Sequence, residues 1–567
     1  MNRTRENEIG APDRRLANHK PSARGFRRVA SLPSRHEAVG CYDPGVMRYG
    51  FLHASLCALC LLPGAAASEP WPQQNGPGGN YAPQQTGAAT VDDFKQARQL
   101  WLSETRDLGY AKGSVSGYLQ NLARWDGHPG SCSAPVIADG KLFVTTFRPG
   151  GETWAEEQPQ YKKWLAEPPK KPNTDEEKAR MKRNLRILAD DMLVAIDTAT
   201  GKTAWSAIEP GAGLNRYMGK RQGYNVSPVF HDGRVFSLGT MGTLRAYKAS
   251  DGTRLWEKEI GPAKSQAQAA KERAIERRTL PGGLGWNSSL VIAGGVLVVP
   301  LFDGKPDLGL RGLDPADGST LWEFERVCSR HATPAVWSHA GRQFIVCATT
   351  TGKLHLIDPQ EKRIRWTVDG LGANHGSIVT TPDHAFVNVG TEVGRKEDAK
   401  NREFYARIGA YRLAPDEATF SWALVDHPDL YHITWMDSCA RRYLAAADGK
   451  LYYHSVGTEK GKRQLNLIDE SGGRITHTVK ADTPGPLFYP IGDRLLVIRD
   501  ACHSRTELAL FSTGERGFHQ LGEFWHPPHQ GTTAYEVAME CPIADGKIYI
   551  RTRDGRIACY DFTRPEP

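Results

Sequence analysis

The sequence predicts an all-β protein, an eight-bladed β-propeller, on the strength of three observations. A phrase of Asp, then Gly four residues later, then Trp four residues after that recurs along the chain. Asp-Gly dipeptides also stand between short alternating apolar runs, which is a strong hairpin signal. Units of roughly 40 to 65 residues with two hairpins each match four-stranded propeller blades. A β-sandwich with accidental internal similarity is the alternative.

The phrase marks the outer half of each predicted blade. Its Asp and Gly suit a tight turn, because Asp can bond its own backbone and Gly tolerates positive φ. The Trp then begins the next strand. Two complete copies are Asp197, Gly201, Trp205 and Asp314, Gly318, Trp322; altered copies are Lys248, Gly252, Trp256, then Asp358, Lys362, Trp366, then Asp469, Gly473, His477, and a copy ending at Trp422.

These phrases divide the chain into seven continuous units and one split unit. The seven lie near residues 132–208, 225–260, 287–326, 331–368, 376–425, 438–481 and 485–526. Three further strands between about 541 and 562 lack a fourth, and the segment around Trp101 can supply it. This pairing would close the ring without an open edge. Seven blades remain the alternative if the unit near 485–526 is irregular.

The copy AIDTATGKTAW resembles the pyrroloquinoline-quinone-like, or quinoprotein-type, propeller repeat. The resemblance spans about 97–562 and implies that each Trp docks between neighbouring blades. The repeat serves both quinone-dependent dehydrogenases and cofactor-free scaffolds, so it does not define the chemistry. The segment WPQQNGPGGNYAP from Trp71 is similar to the opening of many secreted bacterial members without the cofactor.

The N-terminal part predicts export. Residues 1–46 are basic and aperiodic, and are interpreted as a doubtful or disordered extension. Residues 47–67 have the charge, the apolar run and the A-x-A end of a signal peptide. An extended segment then covers 68–96, the propeller 97–562 and a tail 563–567. We therefore expect a periplasmic or extracellular protein that is monomeric and has no transmembrane helix in its mature chain.

Charge and cysteines narrow the expectations further. The chain carries a formal net charge of +8, but residues 1–67 hold ten Lys or Arg against five acids, which leaves +3 for the remainder. A nucleic-acid partner therefore loses its support. Seven of the ten cysteines follow residue 67. Cys132–Cys541 and Cys541–Cys559 are possible disulfides, and buried free thiols are the alternative.

Two segments break the β rhythm, near 152–190 inside the first blade and near 262–283 between the second and third blades. Thr174 and Glu177 have capping-box spacing. Met181, Leu185 and Leu188 can form one apolar stripe of a helix. We expect both segments to be helical, either as solvated faces or as a lid or docking surface on one face of the disc.

The residues that would hold a quinone are not found. The resemblance implies adjacent cysteines, a stacking Trp, Glu and Asn ligands for Ca²⁺ and an Asp base in the dehydrogenases, but the sequence contains no Cys-Cys pair. No cofactor is expected, and pyrroloquinoline quinone with Ca²⁺ is unsupported by motif. A dense group at Asp426, His427, Asp429, His432 and Asp437 matches no definite metal site, and we interpret it as a solvated loop.

A recurrent polar position precedes the innermost strands. These residues could form a ring at one mouth of the central channel and bind a polar ligand with a flat face, or they could be a hydrated structural lining. The candidates are His128, Tyr224, Asn225, Trp286, Asn287, Arg330, His331, Asn374, His375, Asp437 and Glu540. The catalytic residues are unknown.

Together these observations predict an exported, non-catalytic binding or scaffold module of the periplasm or cell envelope, with a protein or carbohydrate partner. A quinoprotein-type oxidoreductase, or another enzyme that uses the polar ring, is the rival prediction. Envelope assembly by strand addition at an exposed edge or loop is a third.

Overall fold

The computed structural model of the protein describes most residues between Trp71 and Arg564. The described residues are 71–83, 89–106, 108, 131, 133–156, 162, 174–215, 226–261, 263–278, 288–302, 305, 307–330, 332–390, 405–424, 432–433, 444–456, 463–480, 487–499, 507–514, 517–528, 540–552 and 555–564. The chain divides into two compact units, Met1–Ala66 and Ala67–Pro567, and every described residue belongs to the second.

Eight four-stranded antiparallel sheets make up the fold, so the predicted eight-bladed propeller is confirmed. A 3-10 helix at Phe94–Gln96 precedes the first strand, β1 (Arg98–Leu102). Blade 1 consists of β2 (Val136–Ala138), β3 (Lys141–Trp154), β4 (Arg186–Asp197) and β5 (Thr203–Leu214); blade 2 of β6 (Val229–His231), β7 (Arg234–Leu238), β8 (Thr243–Lys248) and β9 (Arg254–Glu259); blade 3 of β10 (Val291–Ala293), β11 (Val296–Leu301), β12 (Asp307–Leu313) and β13 (Thr320–Ser329); and blade 4 of β14 (Ala335–His339), β15 (Arg342–Ala348), β16 (Lys353–Asp358) and β17 (Arg363–Asp369).

The second half of the ring repeats this order from the innermost to the outermost strand. Blade 5 consists of β18 (Val379–Thr380), β19 (His384–Asn388), β21 (Ile408–Leu413) and β22 (Ala418–Ala423), beside a separate pair formed by β20 (Tyr405–Ala406) and β23 (His432–Ile433); blade 6 of β24 (Leu444–Ala447), β25 (Lys450–Val456), β26 (Arg463–Asp469) and β27 (Ile475–Lys480); blade 7 of β28 (Leu487–Ile491), β29 (Arg494–Arg499), β30 (Glu507–Ser512) and β31 (His519–Gln520); and blade 8 of β32 (Ile543–Ala544), β33 (Lys547–Arg551), β34 (Ile557–Asp561) and β1.

The burial of each strand follows its place in the blade. The innermost β2 is apolar and fully buried, whereas the outermost β5 alternates between exposed and half-buried side chains. This difference is what sheets packed face to face around an axis require, because only the outermost strand borders solvent.

The N-terminal strand closes the ring as predicted. β1 pairs antiparallel with β34, and the register places Trp101 opposite Cys559. The Arg98 guanidinium lies 2.6 Å from the Asp561 carboxylate beside this pairing. On the N-terminal side of β1, Val91 N–H donates to the Phe562 carbonyl at 2.9 Å. The eighth blade is therefore built from both ends of the described chain.

Chain topology gives the disc two distinct faces. The hairpins between the first and second strands and the turns between the third and fourth strands share one end of each blade, which we call the turn face. The links between the second and third strands, and from each blade to the next, lie at the other end, the loop face. Helix α1 (Asp175–Asn184) lies in the link between the second and third strands of blade 1. Helix α2 (Ala263–Arg277) lies in the link from blade 2 to blade 3. Both predicted helical insertions therefore exist on the loop face.

The predicted apolar stripe of the first insertion is wrong. Helix α1 ends at Asn184, and β4 already begins at Arg186. Leu188 consequently lies in a strand, paired with Gly150 of β3. The capping-box spacing located the helix start, but the pairing of the long β3–β4 hairpin prevails over a longer helix.

The described cysteines are buried, and none of them forms a disulfide. They are Cys328, Cys347, Cys541 and Cys559, so the possible Cys541–Cys559 disulfide is not formed. Burial raises the pKa of the Cys559 thiol to about 12. Cys132, the other possible partner of Cys541, lies outside the described residues. Among the described residues, no helix has the length and apolar character needed to cross a membrane.

Tryptophans of the repeated phrase join one blade to the next. Each lies on an outermost strand and donates its indole N–H to a backbone carbonyl in the phrase turn of the following blade, at 2.7 to 3.1 Å. We call these contacts tryptophan latches. The six pairs are Trp101 to Thr198, Trp205 to Ala249, Trp256 to Pro315, Trp322 to Pro359, Trp366 to Ala414 and Trp422 to Glu470.

The phrase glycine receives the ring of the previous blade. Gly252 has a φ of 76°, and a Cβ atom there would lie 2.5 Å from the Trp205 ring. Gly473 has a φ of 68° and would collide with Trp422 at the same distance. Only Gly satisfies both the backbone conformation and the close approach at these positions. In blades 1 to 3 the phrase therefore provides the Trp for one junction and the Gly for the junction before it.

Trp322→Ala tests the latches. Trp322 is buried and donates to the Pro359 carbonyl at 2.9 Å. Its loss should lower the free energy of unfolding by about 3–5 kcal/mol, the usual cost of truncating a buried Trp. His477→Ala is the matched control, because exposed His477 occupies the Trp position of the phrase in blade 6. Its effect should stay within about 0.5 kcal/mol. Urea unfolding measures both, and equal losses would contradict the latch role.

Candidate functional site

A chain of hydroxyl groups runs around the hub of the propeller. A Ser or Thr lies two residues before the innermost strand in each of blades 2 to 5. Its hydroxyl accepts a hydrogen bond from a backbone N–H of the preceding blade. The four bonds measure 2.9 to 3.1 Å and run from Ala134 N to Ser227, from Ser227 N to Ser289, from Ser289 N to Thr333 and from Thr333 N to Ser377. This hydroxyl chain fixes the ends of the innermost strands that point to the loop face.

The predicted polar ring adjoins the hydroxyl chain in sequence. Of its members, Arg330, Asn374, His375 and Glu540 are among the described residues. Seven lie outside them: His128, Tyr224, Asn225, Trp286, Asn287, His331 and Asp437. The convergence of the whole ring at one mouth therefore stays a prediction.

Asn374 is engaged by its own loop. Its amide nitrogen donates to the Gly372 carbonyl at 2.8 Å, and its amide oxygen accepts from Asn388 N–H at 2.9 Å. Asn388 in turn donates to the Ala373 carbonyl at 2.8 Å. Both Asn side chains are buried. This reciprocal bonding holds the link between blades 4 and 5 in one conformation, and His375 follows it as a half-buried residue.

Glu540 joins the last two blades. Its carboxylate accepts the Tyr489 hydroxyl at 2.7 Å, and the same hydroxyl accepts Cys541 N–H at 2.7 Å. Glu540 and Tyr489 are both buried. At this junction a phenol and a carboxylate thus replace the hydroxyl chain of blades 2 to 5.

Arg330 is the described cation of the predicted ring. It is half-buried, and its guanidinium carbon lies 5.8 Å from the centre of the Phe302 ring. Burial lowers the pKa of Arg330 from its ordinary value. A cation over an aromatic face is a favourable arrangement, and it keeps the Arg330 side chain close to the body of blade 3.

A buried acid near the loop face lies outside the sequence predictions. Asp191 of β4 accepts the backbone N–H and hydroxyl of Thr240 at 3.1 and 2.9 Å, and Arg245 lies 3.5 Å from its other oxygen. Burial raises the pKa of Asp191, and Arg245 opposes this shift. Asp307 of blade 3 makes the same pair of bonds to Thr350 of blade 4. These Asp–Thr contacts join blades at the face opposite the tryptophan latches.

Residues 71–83 cross the hub, which sequence reasoning also missed. We call them the hub segment. It pairs with blade 1 through Trp71 and Ile137, and the Pro72 carbonyl accepts from Phe230 N–H of blade 2 at 2.8 Å. Further contacts reach blade 3 from Gln73, blade 4 from Gln74 and Asn75, and blade 6 from Asn80.

Trp71 anchors the start of the hub segment. It is fully buried, and its ring centre lies 6.1 Å from that of Tyr489 in blade 7. Tyr81 anchors the other end within the core of blades 5 and 6. The only sequence signal for this role was the similarity of the Trp71 motif to secreted propellers, because the segment lacks alternation and reads as a loop. The hub segment ties together blades that are far apart in sequence.

A quinone with Ca²⁺ is unsupported by motif, and seven of the eleven residues of the predicted ring lie outside the described parts of the chain. Among the parts of the chain that the structure describes, no three His, Cys, Asp or Glu side chains are grouped to hold a metal ion. The sequence has no adjacent cysteines. Two described members of the predicted ring accept hydrogen bonds from other residues of the protein. The Asn374 amide oxygen accepts from Asn388 N–H, and the Glu540 carboxylate accepts from the Tyr489 hydroxyl. Of the group interpreted as a solvated loop, His432 lies in β23, whereas Asp426, His427, Asp429 and Asp437 lie outside the described residues.

Comparison with known proteins gives one family and several structural likenesses. The sequence profile of the family described as "Outer membrane protein assembly factor BamB" matches residues 124–280, 189–377 and 306–410. No curated protein sequence matches the chain. The family assignment therefore rests on this profile alone.

Three solved structures share low sequence identity with the chain. BamB from Moraxella catarrhalis is 12% identical, with a TM-score of 0.41, over 66% of this chain and 90% of that one. Quinohemoprotein alcohol dehydrogenase from Comamonas testosteroni is 12% identical, with a TM-score of 0.36, over 88% and 82%. Sqt1 from Saccharomyces cerevisiae is 8% identical, with a TM-score of 0.39, over 67% and 93%.

Trp71→Ala tests whether the hub segment is part of the stable core. Because Trp71 is fully buried, its truncation should lower the free energy of unfolding by about 3–5 kcal/mol. Lys95→Ala is the control from the same end of the chain, since Lys95 is exposed and forms a surface ion pair with Glu523. The control should change the unfolding midpoint in urea only slightly. A Trp71 variant as stable as the control would refute the anchoring role.

Proposed function

Because the chain belongs to the family of the outer membrane protein assembly factor BamB, we propose that it is an exported propeller that acts as a non-catalytic binding or scaffold module in the periplasm or cell envelope. One observation carries the proposal. The described polar groups at the hub, from the hydroxyl chain to Asn374 and Glu540, bond to the fold itself. Such groups hold the disc rigid, and a rigid disc presents its outer surface to partners.

Export is supported by the short distance in sequence between the predicted cleavage site and a buried residue. The predicted cleavage follows Ala67, and Trp71, only four residues later, is fully buried. A mature chain that begins at Ser68 would therefore enter the hub almost at once. The predicted signal peptide and the hub segment fit one another without an intervening linker.

The outermost strands offer the surface for a protein partner. Each blade ends in an edge strand, and an edge strand can pair with an added strand. Four of these strands also carry exposed large apolar side chains: Leu100 in β1, Ile208 in β5, Leu255 in β9 and Phe420 in β22, which are 43%, 39%, 45% and 53% exposed. We infer that a partner protein pairs with or packs on this perimeter, and a carbohydrate at the channel mouth is the alternative.

The rival function is a quinoprotein-type oxidoreductase that uses the polar ring. The specific observation in its favour is the position of Arg330, Asn374 and His375 next to the hydroxyl chain at the loop face. Seven further ring members lie outside the described residues, so the two functions require separate experiments.

Photo-crosslinking in native cells tests the scaffold function. A benzoylphenylalanine at Phe420 or Leu255 should give a crosslinked species in the envelope fraction, because both side chains are exposed on edge strands. The same group at Asp232, an exposed hairpin residue of the turn face, is the control and should give less product.

Mass spectrometry of the recovered protein should find Ser68 as its first residue. Recovery of uncrosslinked monomer alone, or of peptides from before Met47, would count against the proposal.

Cofactor titration tests the rival function. Added pyrroloquinoline quinone with Ca²⁺ should change neither the absorbance of the protein nor its melting temperature, because the sequence lacks the adjacent cysteines that the quinone-dependent dehydrogenases use. A ligand that binds only the native state raises the melting temperature by mass action, so binding would be visible without an activity assay. A rise that requires both components would favour the oxidoreductase.

A further inference from the structure

A cavity of about 660 Å³ opens on the turn face between blades 5, 6 and 7. Its walls are the first hairpins of blades 5 and 6, the phrase turn of blade 6, Pro490 of blade 7 and the end of the hub segment. Ligand pockets usually measure about 300–1,000 Å³, so this cavity has room for a small molecule or a long side chain. We call it the acidic pocket, because its charged lining is Asp383, Asp448, Asp469 and Glu470, with His384 and Asn80 beside them.

The charged residues that line the acidic pocket are mostly carboxylates, and two of these carboxylates have no ion-pair partner among the residues that the structure describes. None of the described residues that line the pocket is Lys or Arg. Asp383 and Asp469 form no ion pair within the described part of the chain. In blade 4, by contrast, the phrase residue Asp358 lies 2.6 Å from the Arg342 guanidinium. The equivalent Asp469 bonds only the hydroxyl of Ser471 and the backbone of its own turn.

A buried His–Glu pair forms one wall of the pocket. His384 Nδ1 lies 3.1 Å from Glu470 Oε1, and the Thr381 hydroxyl donates to the same oxygen. Both side chains of the pair are about nine-tenths buried. Glu470 Oε2 and His384 Nε2 have no protein partner among the described residues. When Nδ1 carries the proton toward Glu470, Nε2 is an acceptor, so two acceptor atoms remain for a ligand.

We propose that the acidic pocket binds an organic cation, a guanidinium or alkylammonium group, through the Glu470 carboxylate and the surrounding aspartates. Such a cation carries several N–H donors, which match spread-out acceptors better than a single metal ion does. The described side chains also include no cluster of three metal ligands. The cation is either a free amine or the Lys or Arg side chain of a protein, and both share this chemistry.

Calorimetric titration of the purified protein tests the chemistry. N-acetylarginine methylamide should bind at one saturable site and bind more weakly as salt is added, because salt screens the attraction. The citrulline analogue has the same shape without the charge and should not bind. Equal binding of both compounds, or no binding of the arginine compound, would overturn the proposal. These outcomes do not depend on any envelope partner, so they are separate from the crosslinking result.

Two further ligands distinguish the source of the cation. A pentapeptide with one Arg between glycines should bind more tightly than the single residue if a protein provides the group. Spermidine should bind more tightly than either if the group comes from a free amine. Binding of none of the three would again refute the pocket.

A matched pair of variants locates the site. Asp448→Asn removes a pocket charge, and Asp232→Asn removes the corresponding charge from the first hairpin of blade 2. Both residues have positive φ, 52° and 48°, which Asn tolerates. Asp448→Asn and Glu470→Gln should each weaken binding about tenfold or more, the cost of losing a hydrogen bond to a charged group. Asp232→Asn should leave binding unchanged, and thermal melting confirms that all variants are folded. Equal affinities of the Asp448 and Asp232 variants would contradict the assignment.

Discussion

The indole of each phrase Trp, seated on the turn of the next blade, is the contact on which the ring depends. It combines a hydrogen bond to a carbonyl with an aromatic ring packed against a glycine that has no Cβ. Because the contact runs in one direction, each of the six blades that carry it positions its successor. Trp101, from the N-terminal strand, extends the sequence across the closure to Thr198 of blade 1. The ring can therefore close only when both ends of the chain have entered blade 8.

Two junctions lack the phrase Trp and are held by other means. In blade 6 the position is His477, and Lys450 of that blade instead donates to the Thr513 carbonyl of blade 7 at 2.7 Å. Between blades 7 and 8, Trp525 packs edge-on against Tyr560, with ring centres 5.1 Å apart. The hub segment adds contacts across the axis. These substitutes show that a latch can be lost where neighbouring contacts compensate for it.

Sequence alone predicted what depends on local spacing. The Asp-Gly-Trp phrase specified the turns and the outermost strands, and the unpaired strand around Trp101 predicted the closure. The hub segment and the acidic pocket depend on residues distant in sequence, since Asn80, His384 and Glu470 belong to separate parts of the chain. No local pattern brings such residues together. The polar ring as a whole stays a prediction, and bonds such as that between Asn374 and Asn388 could be seen only in three dimensions.

Departures from the repeat are the most informative positions in a protein built this way. The first residue of the second strand is Lys or Arg in six blades, as at Arg342, and Val296 in blade 3. In blade 5 it is His384, which pairs with Glu470 of the next blade. The exchange removes a fixed cation from the turn face at the place where several carboxylates meet. Since a folded repeat tolerates the basic residue elsewhere, architecture does not require the histidine here. A cation supplied from outside would restore the charge balance that Arg342 provides internally beside Asp358 in blade 4.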